Sequence, residues 1–309
     1  MAIARRDGDP RYLGYAQAAL APWWGSPTAP EGVRLLKGTL LQSVHQFDAA
    51  LGELAGVLKA DPRNAQAWLI QASVLQVQGR YAEAAASCAR LAPLGAAEYG
   101  TACLAEIASL TGEVTAGRAR LVALLAADTG RTGSWLHLML AELEERAGDF
   151  AAADRHFRVS LAADPEAYTK AAYADFLLDR GRAAEVIPLL EKEQRADPLL
   201  LRLALAYQAT NAPELAASVA ALTARFDAAH LRGDSVHQRE EARFQLHLLG
   251  HSAEALRLAT ANWAIQREPA DARILLEAAR AAQRPDAAEP VRDFVRINRL
   301  PDQRLNRLL

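Results

Sequence analysis

Between Leu58 and Ala84 the chain reads LKADPRNAQAWLIQASVLQVQGRYAEA: an Asp-Pro turn, an apolar run spaced as one face of a helix, then Gly-Arg-Tyr and a second run. The segment is one copy of several. Placing residues 31–64 above residue 65 onward, a step of thirty-four, brings Gly38 over Ala72, Leu41 over Leu75, His45-Gln46-Phe47 over Gly79-Arg80-Tyr81, and Ala50 over Ala84. These residue types suit two antiparallel helices in contact. The first helix needs a small residue, Gly38 or Ala72, where the second crosses it with its own, Ala50 or Ala84. A larger side chain at either point would hold the pair apart. Phe47 and Tyr81 open the second helix and cover the junction, and Pro62 stops it and sets the start of the next unit.

Later copies keep parts of the pattern. The third has Ala105 at the small position and Gly112 at the turn, but Val114 replaces the aromatic residue and Gly117 stands where Ala is expected. The fourth is close again, with Gly148, Phe150, Ala153, Phe157 and Pro165, and the fifth places Ala174, Gly181 and Pro198. Beyond Pro198 helical periodicity alone predicts helices over 198–210, 213–230, 235–249, 252–267, 270–283 and 287–297, with breaks at Gly233-Asp234, Gly250 and Pro285.

Helix pairs at a thirty-four-residue step resemble the tetratricopeptide repeat, closely over residues 31–198 and more loosely over 199–297. The resemblance implies an all-α, right-handed α-solenoid of antiparallel helix pairs, each burying its face against its neighbours. The expected layout is one domain: a partial helical unit at 1–30, clear repeats at 31–198, degenerate repeats and a cap at 199–297, and a tail at 298–309. It also implies a non-enzymatic scaffold that holds a protein or peptide segment in the concave groove lined by the first helices, with no cofactor.

Composition narrows this picture. Of the residues 51 % are hydrophobic and only 6 % aromatic, the apolar content being mostly Ala and Leu, which favours helices. With 35 basic and 37 acidic residues the net charge is -2, and no basic excess exists to release counterions from a phosphate backbone, which argues against a nucleic-acid partner. No apolar run approaches the roughly 18 residues of a membrane span. The expectation is a soluble protein, cytoplasmic, or periplasmic if an upstream export signal is missing. The N-terminus, MAIARRDGDPRYLGYAQAAL, lacks the apolar core and cleavage site of a secretory leader and reads as a helix end entering a Gly-Asp-Pro turn. Cys88 and Cys103 fall on helices that are neighbours in a solenoid, so a disulfide is possible and would point to an oxidising compartment. Two reduced thiols in Ala-rich helices are the plainer alternative.

On the resemblance, the groove positions are Thr39 and Gln42, then Ser73 and Gln76, then Glu106, then Glu142 and Glu145, then Asp175 and Asp179. The groove passes from neutral to acidic, which suits a cationic or mixed basic-apolar segment. The bland alternative is a solvated face, partly neutralised by Arg146 and Lys170. Relatives that clamp a carboxylate use Lys and Asn on successive first helices, whereas Leu35, Thr39, Leu69 and Ser73 stand here. The tail from Asn298, NRLPDQRLNRLL, carries Arg299, Arg304 and Arg307 among leucines and is itself a segment that an acidic groove suits.

Other candidates weigh less. Trp23-Trp24 reads as packing between an N-terminal helix and the first repeat, or else as an exposed anchor for a partner or for self-association of a structural subunit. Trp68, Trp135 and Trp263 read as packing residues. His247 and His251 have the spacing of a shared metal, but Gly250 intervenes and no Cys or carboxylate completes a set. No phosphate loop, G-x-S-x-G or H-E-x-x-H motif occurs. Arg239, Glu240, Glu241 and Arg243 in HQREEARF read as a structural ion-pair seam rather than an acid/base pair.

Overall fold

A computed structural model describes residues 6, 11–26, 28–233 and 237–309. The Gly-Asp-Pro turn expected near the N-terminus, and the start of the helix predicted from residue 235, lie outside these residues. The regular structure of the described residues is all helix, without a strand. After α1 (Arg11–Leu20) come helix pairs α2 (Glu31–Ser43) with α3 (Phe47–Ala60), α4 (Ala65–Val77) with α5 (Tyr81–Ala89), and α6 (Ala97–Leu110) with α7 (Val114–Ala127). Next are α8 (Gly133–Ala147) with α9 (Phe150–Ala163), α10 (Ala167–Asp179) with α11 (Ala183–Leu190), and α12 (Asp197–Thr210) with α13 (Leu215–Leu231). Helix α14 (Gln238–Arg243) runs on into a π-helical turn, Phe244–Leu248, and pairs with α15 (Ser252–Trp263). The last pair is α16 (Pro269–Ala281) with α17 (Glu289–Asn298), and the short α18 (Gln303–Asn306) lies in the tail. The chain is an all-α solenoid of antiparallel helix pairs.

The small positions form the pair contacts. Ala50, Ala72, Ala84, Ala105, Ala153 and Ala174 are fully buried. At Gly38 an added Cβ would lie 3.3 Å from the Leu54 side chain. Gly117, which departs from the expected Ala, is demanded by closer approach: a Cβ there would stand 2.6 Å from the backbone oxygen of Ala105. Phe47 and Tyr81 are buried at the starts of their helices as the spacing predicts. Cys88 and Cys103 form a disulfide with Cα atoms 5.9 Å apart, tying the end of α5 to α6.

The tryptophans divide. Trp24 packs against the core of the first helix pairs and receives Lys37 over its ring at 5.1 Å, while Trp23 is 42 % exposed. Trp68 donates to the Pro62 carbonyl, Trp135 meets Tyr99, and Trp263 is buried edge-on to Phe294.

The C-terminal pairs do not simply extend the array; they turn back onto its second repeat. The Arg267 amide donates to the Val77 carbonyl at 2.8 Å, and Phe294 packs against Tyr81 at 5.9 Å between ring centres. One continuous core holds Leu75, Tyr81, Ile107 and Leu110 together with Leu275, Val291, Phe294, Leu300 and Leu305. The contact is close because the turns are bare. Gly79 has φ +73 and a Cβ there would stand 2.5 Å from the Phe294 ring; Gly148 has φ +90 and a Cβ there would run into Gln303. Both glycines answer two demands, a left-handed turn and a surface flush enough for the returning chain.

Candidate binding site on the inner face

Closure converts the expected groove into a cavity of about 340 Å³. Its walls come from the first helices of the middle repeats and from the returning C-terminal segments. Gln76, Glu106, Glu142, Glu145 and Asp175 line it, facing Arg202, Arg239, Glu240, Glu268 and Arg304, with Arg146 and the rings of Tyr81 and Tyr168 completing the wall. The other sequence candidates lie elsewhere. Thr39 donates to the Leu35 carbonyl within its own helix, and Gln42 donates to Ser73 Oγ at 3.0 Å, joining α2 to α4. Asp179 accepts from Arg273 of α16 at 2.8 Å.

Most of the acids on this face already hold an arginine of the same chain. Asp175 accepts from Arg202 Nη2 at 2.6 Å and from Arg243 Nη2 at 2.8 Å. Burial alone would raise its pKa, but the two guanidiniums overcome that and hold it well below the usual carboxylate range. Glu240 is treated likewise: burial opposes its charge, Arg202, Arg239 and Arg243 favour it, and the pKa falls to about 2. Arg239 in turn reaches Glu268 at 2.8 Å and Asp271 at 3.4 Å. The HQREEARF stretch is thus an ion-pair seam, and it seats the C-terminal helices against α10 and α12.

Glu106 and Glu142 differ from these. Tyr168 Oη donates to Glu142 at 2.7 Å, and Gln76 donates to Glu106, so each is hydrogen-bonded by a neutral group. Burial, and then the Glu106 charge, push Glu142 up to about 7, and burial also raises Glu106 despite the nearby Arg146. Arg146 is held aside, donating from Nη2 to Ser109 Oγ at 2.8 Å. Glu145 meets Arg304 at 3.1 Å, yet burial still raises it to about 7. Glu145 Oε1, Arg146 Nε and Glu240 Oε2 are buried without a hydrogen-bond partner, on residues only 5 %, 8 % and 7 % exposed.

Such a wall suits a guest cation. A guanidinium or ammonium entering it meets carboxylates that lack a full complement of opposite charge, beside two aromatic rings. Lys170, named with Arg146 as a neutralising residue, instead pairs with Glu193. His247 pairs with Glu277 at 3.0 Å and His251 with Gln245, so the two do not converge. Among the described residues no group of three His, Cys, Asp or Glu side chains has metal-holding geometry. No described helix is long and apolar enough to cross a membrane. None of Arg202, Arg239, Glu268 and Arg304 is among the groove residues read from the sequence: Arg202 of α12 comes to Asp175 from the next helix pair and Arg239 stands on α14, while Glu268 and Arg304 reach the site through closure. HQREEARF, which holds Arg239, and the Arg-bearing tail, which holds Arg304, were the local signals; Arg202 and Glu268 had none.

Residues 35–99 match the tetratricopeptide repeat family. No curated protein matches the sequence. Solved structures similar to the chain include PilW, a type IV pilus biogenesis factor, at 18 % identity over 64 % of this chain and 94 % of that one, with a TM-score of 0.49. A tetratricopeptide repeat protein from Parabacteroides merdae is 12 % identical over 86 % of this chain and 90 % of that one, TM-score 0.45. Human IFIT1, solved as a dimer with m7Gppp-AAAA, is 13 % identical over 93 % of this chain and 77 % of that one, TM-score 0.47. None of these likenesses bears on function. The chain carries tetratricopeptide repeats, matched directly at residues 35–99 and followed by further helix pairs that close the array on itself.

Proposed function

We propose that the chain is a non-enzymatic protein-interaction scaffold that holds a basic segment of a partner protein and takes a cationic side chain of that segment into the central cavity. The observation that carries this reading is the Glu106–Glu142 wall, where two carboxylates from successive repeats are hydrogen-bonded by neutral groups while the other acids of the cavity hold arginines. Two neighbouring buried carboxyls that share the charge of Arg146 leave room for a further cation, and opposed charge steers and registers a partner. The Cys88–Cys103 disulfide supports an oxidising compartment as the place of action.

Titration calorimetry with acetyl-arginine-amide and acetyl-glutamine-amide tests the site directly. The expected result is binding of the arginine compound alone, lost by at least tenfold in a Glu106→Gln/Glu142→Gln chain of unchanged helicity. Affinity purification with the same pair of chains then tests the scaffold: a protein bearing a basic segment should be retained by the wild type and released by the isosteric variant. Identical partners on both chains, with no discrimination between the two amides, would sink the reading.

A further inference from the structure

The path of the tail suggests what kind of segment the inner face accepts. From Phe294 onward the chain passes the turns of three successive repeats: Phe294 lies at Gly79, Arg299 at Gly112 and Gln303 at Gly148. Leu300 and Leu305 are its anchors, 3 % and 0 % exposed. Arg304 beside the second anchor reaches Glu145 on the cavity wall. Most of the tail's other polar bonding is internal. Asp302 accepts from the Arg304 amide and side chain, and the Leu300 amide donates to the Val295 carbonyl. Two polar ties to the repeats are described, the Arg304–Glu145 pair and a 3.4 Å bond from Gln303 to the Ala147 carbonyl.

A segment that folds locally and rests on two leucines, one ion pair and one long hydrogen bond is built as a ligand is built, and Glu145 keeps an oxygen without a partner beneath it. We infer that residues 299–309 are an exchangeable occupant of this bed, and that the partner segment shares their chemistry: two leucines five residues apart with an arginine just before the second. The inference rests on the scaffold reading and names the partner's pattern and its route to the cavity. Tethering gives the tail an effective concentration of about millimolar, so an outside segment binds weakly until the tail is loosened.

The test uses the full-length chain and its Arg304→Glu variant, in which the tail stays attached but its ion pair with Glu145 becomes repulsive. The probe is a fluorescein-labelled peptide of residues 298–309, followed by anisotropy. The variant is expected to bind it at least tenfold more tightly than the wild type, and a peptide carrying the same Arg304→Glu change to bind neither chain. Equal affinity for both chains, or none for a variant of native helicity, overturns the inference. Should the variant lose its helical signal, hydrogen exchange of the wild type decides: amides of 300–306 exchanging well before those of α17 support it, and exchange in step with α17 overturns it. A basic partner that needs Glu142 but is indifferent to Arg304 and to the tail peptide leaves the scaffold reading intact and removes this one.

Discussion

At Glu142 a carboxylate sits where burial and the Glu106 charge both resist ionisation, and its pKa stands at about 7 against an ordinary 4.5. A carboxylate raised in the folded state contributes its full stability below the unfolded pKa and loses it as pH rises through the folded one. Glu142 therefore costs the protein stability from about pH 5 upward. Glutamine keeps an oxygen for the Tyr168 hydroxyl and removes the charge. Glu142→Gln should accordingly stabilise the chain by about 1–2 kcal/mol at pH 8, less than the full shift implies because the side chain keeps some solvent access, and change little at pH 5. Urea denaturation at the two pH values measures this, and an equal effect at both would show that the carboxylate is not strained by ionisation. The acidic positions were legible in the sequence because they recur on one face of the first helices. The tail that carries Arg304 was also legible as a segment the acids suit, but partners such as Tyr168 or Arg202 were not, because they announce nothing until the backbone brings them to the wall.

Among the elements, α2 and α4 begin and end thirty-four residues apart, as the aligned repeats predict, because Gly38, Ala72 and the aromatic helix starts are packing residues with local spacing. The register slips where connections change length. Helix α5 stops at Ala89, and a short 3-10 turn, Ala92–Leu94, precedes α6. The disulfide spans this irregular connection with a sequence separation of 15, a loop for which cross-linking stabilises by about 3 kcal/mol. Cys88→Ser/Cys103→Ser should therefore lower the unfolding free energy from urea denaturation by about that amount, and the wild type should show no free thiol when denatured without reductant. A variant as stable as the wild type, or two titratable thiols, would place the pair among reduced core cysteines. Spacing left both states open, since neighbouring helices suit a bond and a pair of small thiols alike. The π-helical turn at Phe244–Leu248 was also hidden, because a single five-residue turn leaves the apolar pattern of the longer helix unbroken.

For the molecule as a whole, closure changes how the repeats cooperate. In an open solenoid each unit touches only its neighbours, so terminal units fray and unfold first. Here the last pair is bound to the second repeat, and contacts such as Arg273 to Asp179 and Gln266 to His45 join residues 94 and 221 positions apart. Pairings of that separation leave no periodic trace, so the candidate site was legible in the sequence only on its repeat-bearing side. Phe294 is the hinge of the contact, 8 % exposed, with Tyr81 on one side, Trp263 at 5.3 Å on the other and Gly79 beneath it. Truncating a buried phenylalanine costs about 3–5 kcal/mol. Phe294→Ala should lose close to that, and should also split the transition. In the wild type, amides of α4 and α16 are expected to become exposed at the same urea concentration, since neither end of the ring opens without the other. In the variant α16 should open first, with α4 following at a higher concentration. If the two helices still open together, the repeats are coupled through their ordinary neighbours, and the return of the C-terminus onto the second repeat adds nothing to cooperativity.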